Sequence, residues 1–136
     1  LGVENVGAAM RSVLPGHSTS SGGELAKHAA SEGNKAAKFY PPGPEHKDNS
    51  GLTFSVVDMA ALVATRLTSE QLPLPDEVAA YLAAMTEYLA AEILELAGNA
   101  PNIRCGHVMR KQVEKAVRAD EELSLLYPQS TGAGAS

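Results

Sequence analysis

Residues 78–100, VAAYLAAMTEYLAAEILELAGNA, restrict what this chain can fold into more than any other stretch. They are rich in Ala, Leu, Glu and Met, all strong helix formers, and hold no Gly or Pro before Gly98. Apolar residues recur at Val78, Tyr81, Leu82, Met85, Leu89, Ile93 and Leu96, the three-and-four spacing of one helical stripe. Pro75, Asp76 and Glu77 suit a first helical turn, where a missing N–H is harmless and negative charge favours the dipole. Gly98 is expected to cap the other end. About twenty residues at about 1.5 Å each make a rod of about 30 Å. Its spine, Leu82, Met85, Leu89, Ile93 and Leu96, needs an apolar counterpart. An ordinary amphipathic helix of a bundle would show the same periodicity.

The remainder of the chain also reads as helix and loop. Val3, Val6, Met10, Val13 and Leu14 sit at helical spacing and stop at Pro15-Gly16. HSTSSG, residues 17–22, is a polar loop, and residues 23–40 read as a second helix that on its own would be a small Ala-rich surface element. Pro41, Pro42 and Pro44 forbid regular structure in the linker over 41–50. Ser55 can cap a helix over about 56–66 with Asp58 as capping-box partner, and Val56, Met59, Leu62 and Val63 form its buried side. Residues 67–74 and 101–107 flank the long helix as loops. A third short helix is expected over about 108–118, then a helical turn over 120–125 and a disordered end.

Composition excludes several function classes. One cysteine, Cys105, cannot make an internal disulfide, and no apolar run is long enough to span a membrane. The histidines are scattered, and the Cys105–His107 pair lacks further ligands, so no metal or other cofactor is expected. No Gly-rich phosphate loop follows a strand, and no nucleophile comes with a base and an orienting group. A convex glutamate-bearing helix offers no burial to separate carboxylate pKa values, so the chain is read as not an enzyme. Net charge is −5, and residues 51–136 carry eleven acids against six bases. The chain opens at Leu1, so it is expected to be processed or to be part of something longer.

YLAAMTEYLAAEILELAGNA closely resembles the central helix of the 2A-type core histone. Ser50-Gly51-Leu52-Thr53-Phe54 before it and Arg118-Ala119-Asp120-Glu121-Glu122-Leu123 after it agree with that family. GELAKHAASEGNKAAKFY, residues 23–40, is similar to the last helix of the 2B-type histone, and VGAAMRSVLPG to the end of that histone's third helix. The resemblance implies an all-α histone fold of short, long and short helices over 51–127. Residues 1–40 would form a 2B-like end segment, 41–50 a linker and 128–136 a disordered tail. Such a fused 2B–2A pair resembles the histone doublets of some giant viruses. The 2B-like first and second helices are absent, which implies a 2B-like histone-fold partner in the parent chain or in another chain.

The resemblance also implies which surfaces are kept. Family arginines that meet DNA fall at Asp58, Ala61 and Ala64, in the Gln71-Leu72-Pro73 region, near His107 and at Glu4, none of them basic enough to replace arginine. Arg104, Arg110 and Lys111 remain as residual DNA-contact candidates, or as a solvated basic spot beside a loop. The family's acidic surface is matched in full, by Glu24, Glu32, Glu87, Glu92, Glu95, Asp120, Glu121 and Glu122. Glu87, Glu92 and Glu95 fall within an arc of about 140° of one helix. Clustered carboxylates attract arginine anchors, so a basic peptide or protein is the expected partner. Shared ancestry alone would also preserve these acids. The expected function is a histone-derived scaffold whose grip on nucleosomal DNA has largely gone. The alternative is a nucleosome-like subunit, viral-type or not, that packages DNA. The corresponding locations are a non-chromatin assembly such as a cilium or organelle complex, and chromatin or a virion.

Overall fold

The computed structural model describes residues 1–14, 23–40, 51–71, 73–100 and 106–126, and every regular element among them is helical. The order is α1 (Val3–Val13), α2 (Glu24–Phe39), α3 (Val56–Ala64), a 3-10 turn (Ser69–Gln71), α4 (Asp76–Gly98), α5 (Arg110–Ala119) and α6 (Leu123–Leu126). The short–long–short series α3, α4, α5 is the one expected, with ends within about two residues of the sequence reading. The loop over 17–22, the linker over 41–50, the tail over 128–136 and most of the second loop lie outside the described residues. The chain divides into two compact units, residues 1–91 and 92–136.

Local chemistry explains the boundaries. Ser55 caps α3 by accepting the Asp58 N–H at 3.1 Å, so the expected cap is present. The reciprocal half of the capping box, from Asp58 back to Ser55, is absent among the described residues. At the start of α4 the Pro75 carbonyl accepts the Val78 and Ala79 N–H groups. Gly98 departs from expectation. It is the last helical residue and does not adopt the left-handed conformation, which among the described glycines belongs to Gly51 and Gly106. The chain leaves α4 through Asn99, whose N–H still reaches the Glu95 carbonyl at 3.0 Å.

In the first unit the opening half of α4 is deeply enclosed. Val78, Ala79, Ala80, Tyr81, Ala83, Ala84 and Met85 are at most 4% exposed. Alanine permits this, because its small side chain lets neighbours approach the helix backbone closely. On one side Ala79, Ala80 and Ala83 meet Tyr40 and Val56, with Leu52, Phe54, Met59 and Leu74 around them. Helix α2 covers another. Its Ala26, Ala29, Ala30 and Gly33 are buried, so it is a core helix and not the surface element its composition suggested. A Cβ on Gly33 would stand 2.7 Å from two Tyr81 ring carbons and 2.9 Å from Met85 Cγ. Helix α1 packs on α2 and brings Gly7 over the Tyr81 hydroxyl. That hydroxyl is buried without a hydrogen-bond partner among the described residues. Burial pushes its pKa up, and the nearby Arg11 charge opposes the shift.

Other expected core residues stay open. Val13 is 71% exposed and Leu62 62%, so each apolar stripe is wider than the surface this chain covers. In the second unit Ala97, Val117 and Leu123 are buried, and α5 packs against α6. Helix α5 is started by Gln112, whose side-chain oxygen accepts the Met109 N–H at 3.1 Å.

Two substitutions at the α2–α4 contact should move stability in opposite directions. Alanine normally gains about 1 kcal/mol over glycine inside a helix. Gly33→Ala should instead lose about 1–3 kcal/mol in urea unfolding, because its methyl overlaps the Tyr81 ring. Tyr81→Phe, which removes only the unpaired hydroxyl, should leave stability unchanged or raise it by up to about 1 kcal/mol.

Candidate protein-binding surface

The eight acidic residues are distributed over both units, and each has a distinct local environment. On α2, Glu24 accepts a hydrogen bond from Lys27 at 3.0 Å and lies 3.7 Å from His28 Nε2. The Lys27 hydrogen bond, with the Lys27 charge behind it, holds the Glu24 carboxyl below the usual carboxylate range. Two turns on, Glu32 pairs with Lys35 at 2.6 Å. Both pairs are solvent-exposed ion pairs of the i, i+3 type, worth little to stability.

Glu87 is different in kind. It is half-buried on α4, and its Oε2 accepts the backbone N–H groups of Thr53 at 2.7 Å and Phe54 at 3.0 Å. One carboxylate oxygen thus ties the segment ahead of α3 to the middle of the long helix. Next to it, the Tyr88 hydroxyl lies 3.2 Å from His28 Nδ1, and the two rings meet edge to face. Glu32, Lys35, Phe39, Leu52, Glu87 and Tyr88 line a shared recess of about 410 Å³. Of the expected set, the first unit therefore brings Glu32 and Glu87 together, each already engaged by a lysine or by backbone amides. Glu24 does not line that recess.

In the second unit Asp120 also has a structural task. Its Oδ1 accepts the N–H groups of Glu122 at 3.0 Å and Leu123 at 2.8 Å, which starts α6. Glu95 and Glu121 are exposed, while Glu92 and Glu122 are half-buried. The sequence marks Asp120 and Glu87 as charges for a partner. The Asp120 cap is local, on amides two and three residues on, whereas the amides that Glu87 satisfies are brought within reach only by the fold.

The expected dimer spine divides. Met85 is fully buried against α2, Leu82, Leu89 and Ile93 are half-buried, and Leu96 is 36% exposed. Leu94, outside the expected stripe, is 56% exposed. Among the basic candidates, Arg104 lies outside the described residues. Arg110 donates to Glu114 at 2.6 Å, and Lys111 is exposed. Glu4, Asp58, Ala61 and His107 are exposed, and Ala64 is half-buried. No group of three or more potential metal ligands occurs among the described residues, where no helix is long and apolar enough to cross a membrane.

Removing the Glu87 carboxylate should release the segment before α3. Glu87→Ala leaves two N–H groups without an acceptor and should cost about 1–3 kcal/mol in urea unfolding. Glu87→Gln keeps an acceptor oxygen and should recover most of that loss. Equal losses in the two variants would assign the effect to charge alone.

Comparison with known proteins agrees with the helix order. No family model matches the chain. It is 31% identical over 105 residues to the Z variant of the 2A histone from Phaeosphaeria nodorum, covering 76% of this chain and 75% of that protein. To the same variant from Scheffersomyces stipitis it is 32% identical over 93 residues, 68% of this chain and 70% of the relative. A 50-residue segment is 56% identical to histone macroH2A1.1 of Capsaspora owczarzaki, and there the match spans 36% of this chain and only 14% of the relative. With relatives matched over more than two thirds of their length, the chain belongs to the 2A family of core histones and has the histone fold.

Proposed function

We propose that this protein is a non-enzymatic, histone-fold structural subunit that pairs through its helices with a 2B-like histone fold. Its carboxylates face basic segments of other proteins, and it grips DNA weakly. The observation that carries this reading is the composition of α3. Over Val56–Ala64 the helix holds one charged residue, the exposed Asp58, and no base. A helix expected to meet a phosphate backbone needs the opposite sign, since neutralised phosphates supply most non-specific affinity.

Pairing is supported by the apolar residues that α3 and α4 leave open. Val57, Leu62 and Leu94 are 42%, 62% and 56% exposed. We further read residues 1–40 as the end of a 2B-type histone joined through 41–50 to the 2A-type fold of 51–127. Supporting that reading, α2 packs on α4 of the same chain at Gly33. A subunit that packages DNA is the second reading, favoured by the Z-variant and macroH2A relatives.

Salt dependence separates the two. Duplex DNA binding by the full chain, paired with a 2B-type histone, should fall with salt at a slope shallower than about −2 in log–log form, as for one or two phosphate contacts per chain. A slope steeper than about −5 would require a phosphate clamp and would establish the packaging reading.

A further inference from the structure

Three cations, one of them the residual DNA-contact candidate Lys111, lie in a row on α5. Lys111, Lys115 and Arg118 are spaced i, i+4 and i+7, which puts them within an arc of about 60° and along about 10 Å of helix. All three are exposed. They line a recess of about 460 Å³ together with Glu114 and Ala119. Glu114, which pairs with Arg110, lies in the same recess, and Arg118 is itself engaged in an interaction. Sharing Lys115 and Ala119 with it is a second, apolar groove of about 260 Å³, completed by Leu96, Ala100, Ala116 and Asp120. Within the second unit, a row of cations thus borders a groove lined by leucine, alanines and the Asp120 side chain.

We propose that this face binds an acidic peptide segment carrying an apolar anchor. The anchor side chain sits over Leu96, Ala116 and Ala119, and flanking carboxylates meet Lys111, Lys115 and Arg118. The inference is independent of whether the chain packages DNA. Charge complementarity selects an anionic ligand, and the groove selects which kind. A sugar–phosphate backbone has no large apolar group to place against leucine and alanine, whereas one leucine or phenylalanine fits a groove of this size. Field range points the same way. The recess is small, and Asp120, Glu121 and Glu122 follow within one turn of its end. Asp120 lines the groove itself, so the carboxylates of a short peptide lie toward Lys111 and Lys115, whereas a long polyanion would run on into Glu121 and Glu122. Lysine and arginine stems also pack along apolar side chains while their charged ends stay in solvent, so the two halves of the face can serve one ligand.

The test is fluorescence anisotropy with the full chain at about 0.15 M salt, where long-range surface charge is screened. The probes are a labelled Glu/Asp-rich peptide with one central Leu, the same peptide with Ser at that position, and a labelled DNA duplex. The Leu peptide should bind best. Lys111→Glu/Lys115→Glu/Arg118→Glu should weaken it at least about tenfold, the scale of several exposed charge pairs acting together. Ala119→Phe, which fills the groove and leaves every charge in place, should weaken it comparably, with circular dichroism confirming that both variants remain helical. Binding unmoved by either variant would overturn the proposal. So would equal affinity for the Ser peptide, or tighter binding of the duplex that the charge reversal abolishes.

Discussion

The contact on which the first unit depends is the approach of α2 to the opening half of α4, and a missing side chain allows it. Gly33 lies so close to Tyr81 and Met85 that a Cβ there would stand 2.7 Å from the tyrosine ring. Glycine is costly in a helix interior, so holding one there makes sense only where close approach returns more than about 1 kcal/mol. The return is burial. Tyr81 and Met85 are fully enclosed, and aromatic and methionine side chains carry large apolar areas. Ala26, Ala29 and Ala30 extend the same small-residue surface along α2. Glu87 then fastens the segment ahead of α3 to the same helix, so α4 organises both flanks of this unit.

The long helix has two characters along its length. Its first half is alanine-rich and enclosed, while its second half shows Leu94 to solvent. Leu62 and Val57 of α3 are likewise open. Each of these helices thus carries apolar side chains that its own unit leaves uncovered.

Much of the fold is legible in the sequence, and what is not has physical reasons. Helix ends fall within about two residues of expectation, because Pro75, Ser55 and the three-and-four apolar spacing act locally. Met85 lies on the apolar stripe and is fully enclosed. Helix α2 is not legible as a core helix, since a stripe of Ala26, Ala29, Ala30 and Gly33 has little hydrophobicity and its value lies in closeness to a partner. Leu62 keeps its helical register yet remains open, since periodicity says which face is apolar and not what covers it. For the candidate surface, all eight carboxylates can be named from resemblance. That Glu87 bonds amides 33 and 34 residues away follows only from the fold, whereas the Asp120 cap on α6 is local.

Charge in this molecule is thus divided among tasks. Glu24 and Glu32 are balanced by lysines of their own helix, Glu87 and Asp120 hold backbone, and Lys111, Lys115 and Arg118 form a separate positive row. The first unit rests on the α2–α4 packing within one chain. Proton NMR of the full chain tests that packing most directly, through nuclear Overhauser contacts from the Gly33 Hα protons to the Tyr81 ring and the Met85 side chain. The structure predicts strong contacts to both, with the Gly33 Hα resonances displaced by the ring current. Gly33 Hα resonances at ordinary helical positions, with no contact to Tyr81, would contradict it.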